Sequence, residues 1–189
     1  MSRRASGNAP DWAPDRREPV AIDILVETGA WPPQGVLANI ARGAIDAAVS
    51  VARMAGRTAL PNTQAGDGIG GEVSILFTDD TAIRALNKRW RDQDRATNVL
   101  SFAQDGPGQM GGMLGDIVLG HETVARQAKL EGKLLNHHIA HMIVHGFLHL
   151  LGYDHQNDKD AERMEDLERK ALKVIAIADP YACAGKEDD

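Results

Sequence analysis

Three histidines define the chemistry open to this chain. His145 and His149 lie four residues apart in the stretch His-Met-Ile-Val-His-Gly-Phe-Leu-His-Leu-Leu at 141 to 151, which reads as helix. In a helix that spacing puts both imidazoles on one face, at a separation one tetrahedral ion can bridge. His155 follows six residues later, past Gly152. Glycine accepts the left-handed conformation that ends a helix, so the chain can turn back and offer His155 to the same ion. Three neutral nitrogens leave one of four positions open. A catalytic zinc is held that way, whereas a structural zinc closes its fourth position with Cys or His. One Zn2+ per chain is therefore the expected cofactor.

A lone histidine on an apolar helix is far more often a hydrogen-bonded core residue than a ligand. The metal reading rests on three of them at ligand spacing, with a glycine placed for the return. His141 shares their face one turn earlier and is expected beside the site or in the core, because a fourth ligand would close it. His137 and His138 are expected to open the helix and face solvent. His121 is isolated and receives no role. The offsets of His145, His149, Gly152 and His155 also occur in the metzincin signature H-E-x-x-H-x-x-G-x-x-H, but Gly146 stands where those proteases have Glu. That Glu is the general base of peptide hydrolysis, so peptidase chemistry is excluded.

The elements that must position these residues follow from periodicity. Residues 20–27 alternate as a strand, stopped at Trp31-Pro32-Pro33. Residues 34–55 place Val36, Leu37, Ile40, Ala41, Ile45, Ala48 and Val51 three and four apart, an amphipathic helix ending at Gly56. After a turn-rich connection over 61–71, residues 72–78 form a strand. Asp79 or Asp80 then caps a short helix over 81–91, with Ile83, Leu86 and Trp90 directed inward. The polar segment from Trp90 to Asn98 leads into a strand over 99–102; such a loop is either a functional segment held by the scaffold or a surface turn. Residues 104–112 are glycine-rich and read as a mobile hairpin-like loop before a strand over 114–119. Asp116 in that strand either orients a group near the metal or satisfies a backbone amide. A helix over 122–130 precedes the histidine helix, 134–151, which is apolar around most of its circumference and so expected to be central and buried. A last helix covers 158–177, with Met164, Leu167, Ala171 and Val174 on one stripe.

This order predicts an α/β (α+β) domain, a small mixed sheet of about four strands covered by about five helices, with the zinc-bearing helix at its centre. The 189 residues accommodate one domain over 19–180 between a disordered basic arm, 1–18, carrying Arg3, Arg4, Arg16 and Arg17, and a flexible tail, 181–189. Hydrophobic residues make up 43% of the chain, enough for a packed core. No apolar run reaches the ~18 residues of a membrane span and no signal peptide is visible, so a cytoplasmic protein with no membrane partner is expected. The one cysteine, Cys183, excludes an internal disulfide framework. A net charge of −6 opposes indiscriminate nucleic-acid binding but is compatible with a local basic groove, for which Arg84, Lys88, Arg89, Arg91 and Arg95 are the available cations.

Residues 145–155, His-Gly-Phe-Leu-His-Leu-Leu-Gly-Tyr-Asp-His, resemble the H-G-x-L-H-L-x-G-Y-D-H signature of the YbeY family of bacterial endoribonucleases and rRNA maturation factors. Upstream, Leu86-Asn87, Trp90-Arg91, Asp94 and Thr97 to Phe102 match that family's L-N-x-x-[YW]-R-x-x-D-x-x-T-N-V-L-S-F block, and Leu114 to Ile117 its L-G-D-I. The resemblance spans about residues 72 to 170. It implies a single-strand-specific, metal-dependent endoribonuclease that matures the 3′ end of small-subunit ribosomal RNA and acts in ribosome quality control. Its partners would be single-stranded RNA, the ribosomal RNA precursor, and the small ribosomal subunit with its assembly factors. By position, His145, His149 and His155 would hold zinc, and Arg91 would match the family's arginine in the cavity beside the metal, where a guanidinium fits a phosphate. Lys88, Arg89, Asn98 and Ser101 are the further candidates for substrate contact. No general base stands out, so attack by a metal-activated water and by the RNA's own 2′-hydroxyl both stay open. Two other functions fit the same residues: a zinc hydrolase of another substrate, and a ribosome-assembly factor whose metal mainly holds the fold. The basic arm and the 104–112 loop lie outside the shared pattern.

Overall fold

The computed structural model describes residues 19–56, 71–104, 112–155 and 157–182. The expectations for the basic arm, the 61–71 connection apart from Gly71, most of the 104–112 loop, and Cys183 lie outside the described residues. Four strands form one sheet: β1 (Ala21–Val26), β2 (Glu72–Thr78), β3 (Val99–Ala103) and β4 (Met113–Gly120), in the order β1-β2-β4-β3. β1 pairs with β2 and β2 with β4 in parallel, while β3 runs antiparallel to β4 and forms one edge. Parallel neighbours need a crossover. The first is α1 (Gln34–Met54); the second contains α2 (Asp80–Arg91) and β3 itself. Three more helices follow, α3 (His121–Leu130), α4 (Leu135–Leu150) and α5 (Asp158–Val174). The fold is the mixed α/β domain expected, with four strands and five helices among the described residues.

Strand alternation divides the sheet into two unequal faces. Val73, Ile75, Phe77, Val99, Ile117 and Leu119 point into the main core, which they share with α1, α4 and α5. The 21 residues of α1 are long and apolar enough to cross a bilayer, yet Leu37, Ala41, Ile45 and Ala48 are buried here against the rest of the domain. On the other face Leu76, Leu100, Phe102 and Val118 pack with α2 and with Ala96 of the loop that follows it, in a small second core around Ile83. α2 is capped by Asp79, whose Oδ1 accepts from the Ala82 amide at 2.8 Å.

Three expectations are corrected. Trp90 does not point inward: it is 61% exposed, because β3 is the edge strand and Phe102, met edge-on at 6.0 Å, is its aromatic neighbour there. Asn87 takes the buried place on α2 instead, its Nδ2 donating to the Arg95 carbonyl at 2.9 Å and so tying down the following loop. His138 is buried rather than solvent-facing, with Nε2 3.2 Å from Gln127 Oε1 of α3, since a helix covered on nearly every side leaves a polar residue no wet face. Finally, α5 stops at Val174, short of Ile177. Ala176 adopts a positive φ of 56° and Ile177 N–H donates to the Leu172 carbonyl at 2.9 Å, a helix-ending turn made without the usual glycine.

Candidate metal centre

The end of α4 is built to return the chain. Gly152 has φ 79°, its N–H donates to the His149 carbonyl at 2.8 Å, and Tyr153 N–H donates to the Leu148 carbonyl at 3.0 Å. These two bonds make a Schellman motif, which only a residue at ease in the left-handed region closes without strain. The turn does a second job, because it brings the Tyr153 carbonyl 3.0 Å from His149 Nδ1. A carbonyl can only accept, so the Nδ1 carries the proton and Nε2 keeps its lone pair. His145 is fixed in the same sense by a carboxylate: its Nδ1 lies 2.8 Å from Glu168 Oε1.

The two Nε2 atoms then face each other at 3.1 Å. In the ligating form, with each imidazole neutral and its proton on Nδ1, the two lone pairs converge on a point where one cation would sit. Zinc–nitrogen bonds of about 2.0–2.1 Å in a tetrahedron put ligand nitrogens about 3.3 Å apart. His155 completes the set, its ring 5.0 Å from that of His149 and 5.7 Å from that of His145, and the three ligand atoms all lie within 4.8 Å of one another. Burial, with the neighbouring His145 and His155, pushes His149 down to about 4, so it is neutral at pH 7 as a ligand must be. His145 and His149 are half-buried while His155 is exposed, so the cluster opens to solvent on that side. The donor set and its spacing fit a single zinc ion.

Sequence reasoning missed Glu168. It stands on α5, is 1% exposed, and accepts from His141 Nε2 at 2.7 Å, His145 Nδ1 at 2.8 Å and the Tyr181 hydroxyl at 2.6 Å. Burial alone would raise its pKa, but the hydrogen bonds from His141 and His145 outweigh it and hold the carboxyl well below the usual range. Tyr181 is pushed up by burial and by that carboxylate, so it stays a phenol and a donor. A signal existed: Glu168 interrupts the apolar stripe of Met164, Leu167 and Ala171, and a carboxylate among core positions needs partners. His141 sits where expected, beside the ligands rather than among them.

Gly146 is explained by packing. A Cβ there would lie 2.9 Å from Ser101 Oγ, 3.0 Å from Ile117 Cγ2 and 3.4 Å from Val99 Cγ2, so α4 rests on β3 and β4 through bare backbone. No glutamate fits. Ser101 thus lines the contact between strand and histidine helix, its Oγ buried and without a partner among the described residues. Asn98 organises the entry to β3: its Oδ1 accepts from Val99 N–H at 2.7 Å and its Nδ2 donates to Gln127 Oε1 at 3.1 Å.

The predicted cations lie elsewhere, on and after α2. Lys88 and Arg84 share Asp94, at 3.1 and 2.7 Å, and Asp94 is lowered by the hydrogen bonds from Arg84 and Lys88. Arg89 lies 5.1 Å over the Trp90 ring, and Arg91 is exposed at the end of α2. Among the described residues, no hydrogen bond or ion pair joins any of these four to the histidine cluster. Asp116 does not orient a ligand either: it lines a cleft on the opposite face of the sheet. His121 packs edge-on against Trp31 at 5.0 Å.

Residues 41–176 match the family model described as Endoribonuclease YbeY. A protein of that name from Chelativorans sp. (strain BNC1) is 49% identical over 164 residues, covering 85% of this chain and 93% of the relative. Another from Rhizobium meliloti (strain 1021) is 47% identical over 163 residues, covering 85% and 94%. The solution structure of a Thermotoga maritima protein shares the fold, with a TM-score of 0.52 and 23% identity over 82% of this chain and 88% of that one. With the histidine cluster on the helix where the family signature falls, and with relatives this similar over most of its length, the chain belongs to the YbeY family.

Proposed function

We propose that this chain is a single-strand-specific, zinc-dependent endoribonuclease, a hydrolase of RNA phosphodiester bonds, that matures the 3′ end of small-subunit ribosomal RNA in the cytoplasm and takes part in ribosome quality control. The carrying observation is the pair of Nε2 atoms 3.1 Å apart, each on a ring whose Nδ1 faces an acceptor. Family membership supports the substrate class. His145, His149 and His155 would hold the ion, which would supply a Lewis acid for a phosphodiester oxygen and lower the pKa of water toward ~7. The remaining work is done by the chain itself. Glu168 and the Tyr153 carbonyl hold two imidazoles in the ligating tautomer, the second by backbone alone. Arg91, exposed and free of any carboxylate partner among the described residues, offers a planar fork to a phosphate of the RNA strand. The partners would be the ribosomal RNA precursor and the small subunit with its assembly factors.

The test compares cleavage of a labelled single-stranded RNA by the purified protein and by His149→Ala prepared identically. Cleavage by the first alone, stopped by a chelator and restored by zinc, is the expected result. Equal cleavage by both, or by neither, defeats the nuclease reading and favours an assembly factor with a structural metal.

A further inference from the structure

An apolar opening lies on the other side of the sheet from the histidines. It is a cleft of about 730 Å³ between α2 and the strands, walled by Leu76, Leu86, Trp90 and Phe102 and floored by Ser74 and Asp116. We propose that this cleft is a second RNA contact, a subsite for one unpaired nucleobase bearing an exocyclic amino group, which is to say adenine, cytosine or guanine. The inference rests on RNA being the substrate and adds where a flanking base is read.

Three features select the occupant. Trp90 is 61% exposed, stands at 6.0 Å and 61° to Phe102 and carries the exposed Arg89 side chain 5.1 Å over its ring, so the cleft mouth presents an aromatic surface on which a base stacks once Arg89 swings aside toward a phosphate. Asp116 is exposed on the floor, in cross-strand register with Ser74 on one side and Phe102 on the other, and no hydrogen bond or ion pair engages its carboxylate among the described residues. An apolar side chain from a protein partner, or from a second copy, would cover that carboxylate without pairing it; a phosphate would be repelled by it. A base amino group donates to it. On the helix that carries Trp90 the charge is the reverse. Arg89 and Arg91 flank Trp90 on α2, both exposed and neither paired with a carboxylate, whereas Arg84 and Lys88 are taken up by Asp94. Cations outside and an acceptor inside match a nucleotide, whose phosphates flank a base with N–H groups.

The location also fits a strand that reaches the metal. β3 is the edge of the sheet, with Val99 and Ser101 turned toward α4 and Leu100 and Phe102 toward the cleft, so a single strand passing around that edge meets both faces. The base held by Trp90 is then a flanking one and not the base at the scissile bond.

The experiment measures binding of dye-labelled 2′-O-methyl octamers, which resist cleavage by 2′-hydroxyl attack, to the zinc-loaded full chain by fluorescence polarisation. Oligo(C) and oligo(U) are compared for the wild type, Trp90→Leu and Asp116→Ala. The expectation is a several-fold preference of the wild type for oligo(C), a loss of about tenfold or more in affinity for both in Trp90→Leu, and loss of the preference with binding retained in Asp116→Ala. Unchanged affinity and unchanged preference in both variants would overturn the subsite. Both positions are exposed, so neither variant is expected to unfold, and matching urea midpoints check it. A wild type that cuts single-stranded RNA while the variants bind as it does leaves the nuclease assignment standing and this inference refuted; a wild type that neither binds the octamers nor cuts removes the substrate reading itself.

Discussion

The two faces of the sheet are built to opposite rules. Beneath α4 two of the three candidate ligands are held in turn, His145 by Glu168 and His149 by the Tyr153 carbonyl; Glu168 takes three donors at 2.6 to 2.8 Å while 1% exposed, and α4 lies on the strands at a glycine that admits no side chain. Beneath α2 the core is three buried residues, Ile83, Leu100 and Val118, and the cations of the helix are exposed. The Arg84–Asp94 and Lys88–Asp94 pairs join side chains that are each about half exposed or more, and such pairs contribute little stability. The difference separates two needs. A ligand set must be preorganised before the ion arrives, because loose imidazoles lose affinity through the entropy of fixing them. A surface for a flexible strand works by exposure and charge instead.

The contrast can be broken by a pair of substitutions, one on each side. Arg91→Ala should reduce kcat/KM for single-stranded RNA by about 10- to 100-fold, the loss of a charge-assisted contact to phosphate, with zinc content by elemental analysis unchanged. Loss of zinc in that variant would refute the division. Glu168→Gln should do the reverse: an amide can offer N–H where His145 Nδ1 also donates, and zinc affinity by chelator competition should fall about 10- to 100-fold. Asp94→Asn, the matching change on the α2 face, should leave zinc affinity where it is. If Glu168→Gln binds zinc like the wild type, the carboxylate only fills space.

Packing gives a smaller effect. Gly146→Ala adds a methyl 2.9 Å from Ser101 Oγ and 3.0 Å from Ile117 Cγ2, and should cost about 1–2 kcal/mol in urea denaturation even after the gain in helix propensity. Adding Ser101→Ala should recover part of it; no recovery would mean the strain lies at Ile117.

The smallest expected effect is in pH. Burial, then the neighbouring His141, bring His138 down to about 4 from an ordinary 6.5, with Lys133 acting the same way and Glu131 opposing. The unfolded chain therefore binds a proton between pH 6.5 and about 4 that the folded chain refuses, so this contribution is complete above 6.5 and is lost as pH falls toward 4. Denaturation midpoints at pH 7.5 and 5 should show His138→Gln losing about 1 kcal/mol less than the wild type. Equal losses would place the proton uptake elsewhere. Glu168, whose pKa is depressed, contributes stability that is fully present above the ordinary carboxylate range and is lost only as pH falls below it.

What the sequence determined by itself is what depends on neighbours along the chain. The four-residue step of His145 and His149, the glycine that turns the chain toward His155, the alternation of β2 and β4 and the Asp79 cap are all local, since helix pitch, strand pleat and backbone freedom act over a few residues. The family block was legible for the same reason, as a string. Tertiary structure alone decided what stands opposite each side chain. Glu168 is 23 residues from His145 and reaches it because α5 packs on α4; His138 is dry because Gln127 of α3 closes over it. Trp90 was misplaced because periodicity names a helix face without saying whether a strand lies beneath it, and at the sheet's edge little does. The five cations near α2 read as one groove in sequence, and only three are without a carboxylate partner once Asp94 folds back onto Arg84 and Lys88. Periodicity carries the direction of a side chain; the partner it meets is fixed by the topology that joins distant segments.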